Sequence, residues 1–124
     1  MKLRIRGNSI RLRLTQREVA EFEANGKVEE RTEFGSGQAF SYALVRGENE
    51  DRTRAEFDGV GIRVVLAEGE ARRWTDSDQV GIEAVQPLRP DSQLRILIEK
   101  DFACLADRQG EEDTNAFPNP RAAA

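Results

Sequence analysis

The stretch from Lys2 to Leu14 constrains this chain more than any other. Leu3 and Ile5 alternate with Lys2, Arg4 and Arg6; Gly7-Asn8-Ser9 intervenes; then Ile10, Leu12 and Leu14 alternate with Arg11 and Arg13. A period of two on both sides of a short turn specifies a β-hairpin with one buried face and one wet face. Gly and Asn both tolerate the positive φ that such a turn favours. The period then changes. Thr15 and Glu18 have the spacing of a capping box, Val19 and Phe22 share a helical face, and Gly26 stands where a left-handed residue ends a helix. Strands from about Lys27 to Phe34 and from Gln38 to Val45 follow, joined by Gly35-Ser36-Gly37, with Phe40, Tyr42 and Leu44 on one face. Arg46 to Thr53 reads as a charged loop.

The same order recurs at an offset of 52 positions, without a gap. Leu3, Ile5 and Gly7 fall on Ala55, Phe57 and Gly59; Ile10, Leu12 and Leu14 fall on Ile62, Val64 and Leu66. Glu18 falls on Glu70, Phe22 on Trp74, Val28 on Val80, and Tyr42 and Leu44 on Leu94 and Ile96. Apolar character persists where burial is needed and lapses where exposure is. The pattern predicts two β-β-α-β-β repeats, over about residues 2–46 and 54–102, in one domain spanning 1–105. An acidic, proline-containing tail over 106–124 follows. Two repeats are few for a solenoid. A closed, pseudo-symmetric unit is expected instead: an α+β, mostly β barrel of about eight strands and two short helices, its closure removing exposed edges.

Composition narrows the function. A chain of 124 residues is long enough for one real core, and its net charge of −4 sets it apart from broadly basic nucleic-acid binders. The absence of histidine removes the commonest general base and the usual zinc sites. A single cysteine, Cys104, cannot form an internal disulfide, which suits a reducing cytoplasm. No apolar run approaches a membrane span and no signal peptide is expected. Charge is nevertheless uneven. Residues 2–17 carry Lys2, Arg4, Arg6, Arg11, Arg13 and Arg17 with no acid, whereas 106–124 carry Asp107, Glu111, Glu112 and Asp113 against Arg108 and Arg121.

The succession of a strand, Gly7-Asn8-Ser9, an alternating strand ending Arg13-Leu14 and a helix resembles the swapped-hairpin barrels of AbrB-type transition-state regulators and MazE-type antitoxins. Asp78-Gln79-Val80-Gly81-Ile82-Glu83 resembles the Gly-Asp-x-Val strand that follows the helix there. The chain departs from those proteins at Arg6, where antitoxins often have Trp, and at Thr15, where they usually have Pro; its second copy has Val60-Gly61 in place of Asn-Ser. Those proteins are usually homodimers in which each chain gives half a barrel. The resemblance therefore implies a fused pseudo-dimer, plausibly monomeric, whose core needs no partner chain. The chain as a whole also resembles a small bacterial family with no assigned function, through its opening MKLRIRGNSIRLRL and its ending KDFACL and AFPNP.

The resemblance implies DNA contact through Arg4, Arg6, Asn8, Arg11 and Arg13. Arginines on an exposed ribbon can reach phosphates and base edges, and a ribbon fits the major groove. The bland alternative is a solvated sheet face. The outward residues of the second copy, Arg54, Glu56, Asp58, Arg63 and Val65, carry no net charge, whereas a palindrome reader needs two basic halves. Elsewhere, Glu111, Glu112, Asp113 and Asn115 are hard-oxygen donors without EF-hand spacing. Cys104 is expected to be a small buried thiol, since no histidine can activate it. An enzymatic tunnel like that of the triphosphate-tunnel phosphatases, lined by Arg4, Arg6, Arg11, Arg13, Arg63, Arg95 and Glu99, would require the charged face to point inward, and two short helices are too few to cover the apolar face left outside. The expectation is a non-enzymatic binding module of the cytoplasm, with no catalytic or metal-binding residues and no cofactor. Its partner is expected to be DNA or a protein, the latter meeting the same face or the acidic tail, and not a membrane.

Overall fold

The computed structural model describes residues 1–101. Its elements, in chain order, are β1 (Lys2–Arg6), β2 (Ser9–Leu14), α1 (Gln16–Asn25), β3 (Lys27–Gly35), β4 (Gln38–Gly47), β5 (Arg54–Phe57), β6 (Gly61–Ala67), α2 (Glu68–Asp76), β7 (Gly81–Arg89) and β8 (Ser92–Lys100). The chain is an α+β, mostly β structure of eight strands and two helices, and both halves run β-β-α-β-β. Cys104 and the stretch 106–124 lie outside the described residues.

The strands form two four-stranded sheets, ordered β1-β2-β8-β7 and β3-β4-β6-β5. Each sheet takes one hairpin from each half. In the first, β2 runs parallel to β8, with Leu12 opposite Ile98; in the second, β4 runs parallel to β6, with Leu44 opposite Val64. The hairpins are thus exchanged between the halves. The inward faces meet in one core, where Leu12, Leu14, Phe22, Leu44, Val64, Leu66, Trp74, Ile96 and Ile98 are all fully buried. Leu12, Leu14, Val64 and Leu66 hold these places because alternation points them inward. Among the described residues the buried side chains are apolar apart from Thr53, and Arg11 and Arg13 lie on the other face of β2 from Leu12 and Leu14. Ile5 shares the inward parity yet is 57% exposed, since it lies near the turn of an edge strand.

The helices pack where β2 and β6 end, and Phe22 meets Trp74 edge to face with ring centroids 6.1 Å apart. α1 has the capping box expected of Thr15 and Glu18, and Gly26 ends it at φ 74. α2 has no such box, because Ala67 occupies its N-cap. The preceding loop supports it instead: Glu68 N donates to Glu50 O, Asn49 N to Glu68 Oε2, and Ala67 N to Thr53 Oγ1. Gly47 makes that loop possible, since a Cβ there would meet Glu50 Cγ at 2.6 Å and Val65 Cγ1 at 2.7 Å.

The offset of 52 aligns the first hairpins and the helices, but the second hairpins sit two residues further on. Gly35 pairs with Gln38 across one turn and Arg89 with Ser92 across the other, each beside a register shift. Val28 opposite Leu44 accordingly matches Ile82 opposite Ile98. Val80, the match at 52, lies before β7 and is 48% exposed, and its carbonyl accepts from Trp74 Nε1 at 3.1 Å.

Side chains bridge the seams between the sheets. Gln86 on β7 works as a short piece of strand: Ala55 N donates to its Oε1 at 2.7 Å and its Nε2 donates to Ala55 O at 3.3 Å. At the other seam the Met1 amino group donates to Glu18 Oε2 and, at 2.9 Å, to Glu30 Oε1, while Tyr42 OH donates to Met1 O at 2.9 Å. Burial works against the charge of this amine, but the hydrogen bonds and negative charges of Glu18 and Glu30 outweigh it and hold its pKa above 8.0. Burial likewise works against ionised Glu18, but the hydrogen bond and charge of the amine, with the bonds to Thr15, hold its pKa below 4.5. Burial, then the charges of Glu30 and Glu18, push the Tyr42 phenol up.

Two predictions follow from these seams. Replacing Gln86 with Leu leaves both polar groups of Ala55 without this partner and lowers unfolding free energy by about 1–3 kcal/mol, read by urea denaturation. The amine cluster gives stability two limits. Glu18 contributes fully above its unfolded pKa and loses that contribution as pH falls through its lower folded value; the amine contributes fully below its unfolded pKa and loses it as pH rises through its higher folded value. Glu18→Gln therefore costs about 1–3 kcal/mol at neutral pH and flattens the acid limb of a plot of urea midpoint against pH; an unchanged acid limb would assign it to other carboxylates.

Candidate functional site

Alternation places the charged residues of β1 and β2 on the outer face of the first sheet, and the register sets them in rows. Lys2, Arg13, Glu99 and Gly81 form one row; Arg4, Arg11, Leu97 and Glu83 the next; Arg6, Ser9, Arg95 and Val85 the third. Lys2 and Arg95 thus join the four arginines read from the sequence. The face holds six basic side chains against Glu83 and Glu99, with Asp101 at its margin beside Lys2 (3.5 Å).

These charges are not equally available. Arg4 and Arg6 are exposed and, among the described residues, have no ion-pair partner. Arg11 and Arg13 are half-buried and share one acid, their Nε atoms lying 3.3 and 3.5 Å from Glu99 Oε1. Neither contact is aligned as a hydrogen bond, and Arg13 Nε and Glu99 Oε1 are both buried without one. Arg95 Nη2 donates to Glu83 Oε1 at 2.8 Å, and a shallow depression floored by Leu97 lies between this pair and Arg11.

Asn8 has a different task from the arginines. Its Nδ2 donates to Gln93 O at 2.5 Å, and its carbonyl accepts from Arg95 N at 3.1 Å, so it fastens the first hairpin to the last. The positive φ of the turn falls on Gly7 alone, at 54°.

The second sheet shows what the same fold does without a basic face. Its outer side carries Lys27, Arg31, Arg54 and Arg63 against Glu29, Glu33, Glu56 and Asp58, a balanced set. Across β5 and β6, Glu56 stands opposite Arg63. At the matching places across β1 and β2, Arg4 stands opposite Arg11 and Lys2 opposite Arg13. Like charges directly opposite on neighbouring strands are destabilising, and opposite charges are favourable. The first hairpin therefore sets like charges opposite one another twice, where its copy has one pair of opposite charges and, at Arg54 opposite Val65, no charge pair.

Among the described residues no three His, Cys, Asp or Glu side chains converge as a metal would need. The sequence showed the outward arginines. It did not show that Glu99 enters between two of them, because that contact depends on the parallel pairing of β2 with β8.

No curated protein and no solved structure matches the chain. The model of a family of unknown function, DUF7009, matches residues 1–121. The chain belongs to that family.

Proposed function

We propose that this chain is a non-enzymatic binding module that grips DNA through the outer face of its first hairpin. The observation that carries the reading is the pair of repulsive cross-strand contacts, Arg4 with Arg11 and Lys2 with Arg13, in a fold whose other copy places Glu56 against Arg63. A phosphate backbone relieves that repulsion. Arg4 and Arg6 make the first contacts, since they are exposed and without ion pairs among the described residues. The exchange of hairpins between halves supports the likeness to AbrB- and MazE-type barrels, here as a monomeric pseudo-dimer of the cytoplasm. With one basic face rather than two, the module contacts a single stretch of duplex and does not read a palindrome. No helix among the described residues is long and apolar enough to cross a membrane.

A second reading, a protein-interaction module, has its own support. Phe34 and Phe57, beside the hairpin turns, are 71% and 69% exposed. They stand on β3 and β5, the two edge strands of the second sheet, where a sheet edge with an exposed aromatic can receive a strand of a partner.

Fluorescence anisotropy with a mixed-sequence duplex, from low to physiological salt, decides between them. The expected result is binding that weakens steeply with salt, and an Arg4→Ala, Arg6→Ala variant whose slope of log affinity against log salt is shallower by about two. No binding at low salt, or binding indifferent to the variant, would overturn the DNA reading.

A further inference from the structure

We infer that Glu99 is an internal competitor for the phosphate that Arg11 and Arg13 would hold, and so sets how tightly this face binds nucleic acid. This inference rests on the DNA reading above. The Glu99 carboxylate lies within 3.5 Å of both guanidinium Nε atoms, the place an incoming phosphate oxygen would take. It comes from β8, at the far end of the described chain, and reaches the arginines only because β2 and β8 pair in parallel.

The internal duplication shows that the fold does not need this acid. Arg13 opposite Glu99 in the first sheet corresponds to Val65 opposite Val45 in the second. There the same junction of exchanged hairpins is held by two valines, with Val65 nearly buried at 3% exposure. Replacing such ion pairs by apolar side chains is often neutral or stabilising. The contact is also poorly satisfied, since Arg13 Nε and Glu99 Oε1 lack aligned hydrogen bonds. A carboxylate held by charge without good geometry is readily displaced by a group with more acceptor oxygens, and phosphate is such a group. Glu99 thus screens Arg11 and Arg13 in the free protein and withdraws when a phosphate enters.

The test measures duplex affinity of the full chain at low salt for the wild type, E99Q and E56Q. E56Q removes the same charge from the balanced face and so reports the effect of net charge alone. The expected result is that E99Q binds roughly three- to ten-fold tighter than wild type, about 1 kcal/mol, with a salt slope steeper by about one, while E56Q changes little. Equal gains in E99Q and E56Q would overturn the inference, leaving only net charge. Weaker binding by E99Q would overturn it too, making Glu99 a residue that positions the arginines. If E99Q loses its cooperative melt, Glu99→Val, which copies the residue used in the other sheet, takes its place under the same comparison. Absence of binding by wild type and variants alike would overturn the DNA reading itself, whereas wild-type binding unaltered in E99Q would overturn this inference alone.

Discussion

The parallel pairings of β2 with β8 and of β4 with β6 are what the rest of the structure depends on. Each joins a strand of one half to a strand of the other, so that position 12 lies beside position 98 and position 44 beside position 64. Neither half completes a four-stranded sheet alone. The core is shared in the same way, since Leu12 and Leu14 join one cluster with Ile96 and Ile98 of the last hairpin, and Phe22 of the first half meets Trp74 of the second. Contacts this distant in sequence bear the entropy of closing a long loop before any burial rewards them. The tight local hairpins and the capped α1 lower that barrier, because each is specified by its own few residues.

Duplication gives the molecule an internal comparison. Where the two copies agree, the fold is the reason: inward aliphatic residues on β2 and β6, an aromatic on each helix, and a left-handed glycine, Gly7 or Gly59, at the first hairpin turn. Where they differ, the fold tolerates both solutions. Gln86 closes one seam by bonding both polar groups of Ala55, while the other uses a charged amine with Glu18 and Glu30. Asn8 fastens one turn across hairpins, and Val60 stands at its place in the other copy. Arg13 with Glu99 and Val65 with Val45 are two ways to build one junction. A difference of this last kind is informative, because packing alone is already satisfied by the valines.

Much of this was legible in the sequence, for reasons that particular residues make clear. The strands of the first hairpin, the cap at Thr15 and the stop at Gly26 are local signals, and the structure has each of them. The two-residue displacement of the last hairpin was hidden by the period of a strand. A slip of two leaves every side chain on its own face, so aligning Leu44 with Ile96 looks as sound as aligning it with Ile98. The support of α2 was hidden as well, since Ala67 cannot cap and the stand-ins Glu50 and Thr53 act from a loop. Outward arginines were visible from alternation alone. Their partner Glu99 was not, because nothing within either repeat announces which hairpins pair across halves.

An outward arginine is a weak sign of function, since alternation permits any polar residue there and exposed ion pairs add at most about 1 kcal/mol. The pairing across strands carries more weight. A hairpin selected only to stay folded and wet gains from opposite charges in register, the arrangement of Glu56 and Arg63. The first hairpin instead sets like charges in register twice, and the acid that eases one of these pairs, Glu99, is borrowed from another hairpin and fits poorly. Local stability does not explain that choice. A conflict between local electrostatics and an otherwise consistent fold is where a binding surface is expected, because the charge that is unfavourable in the free protein becomes favourable when an anion arrives. On the function proposed above, the basic face is kept for the anion it would meet, and Glu99 would limit how strongly it binds.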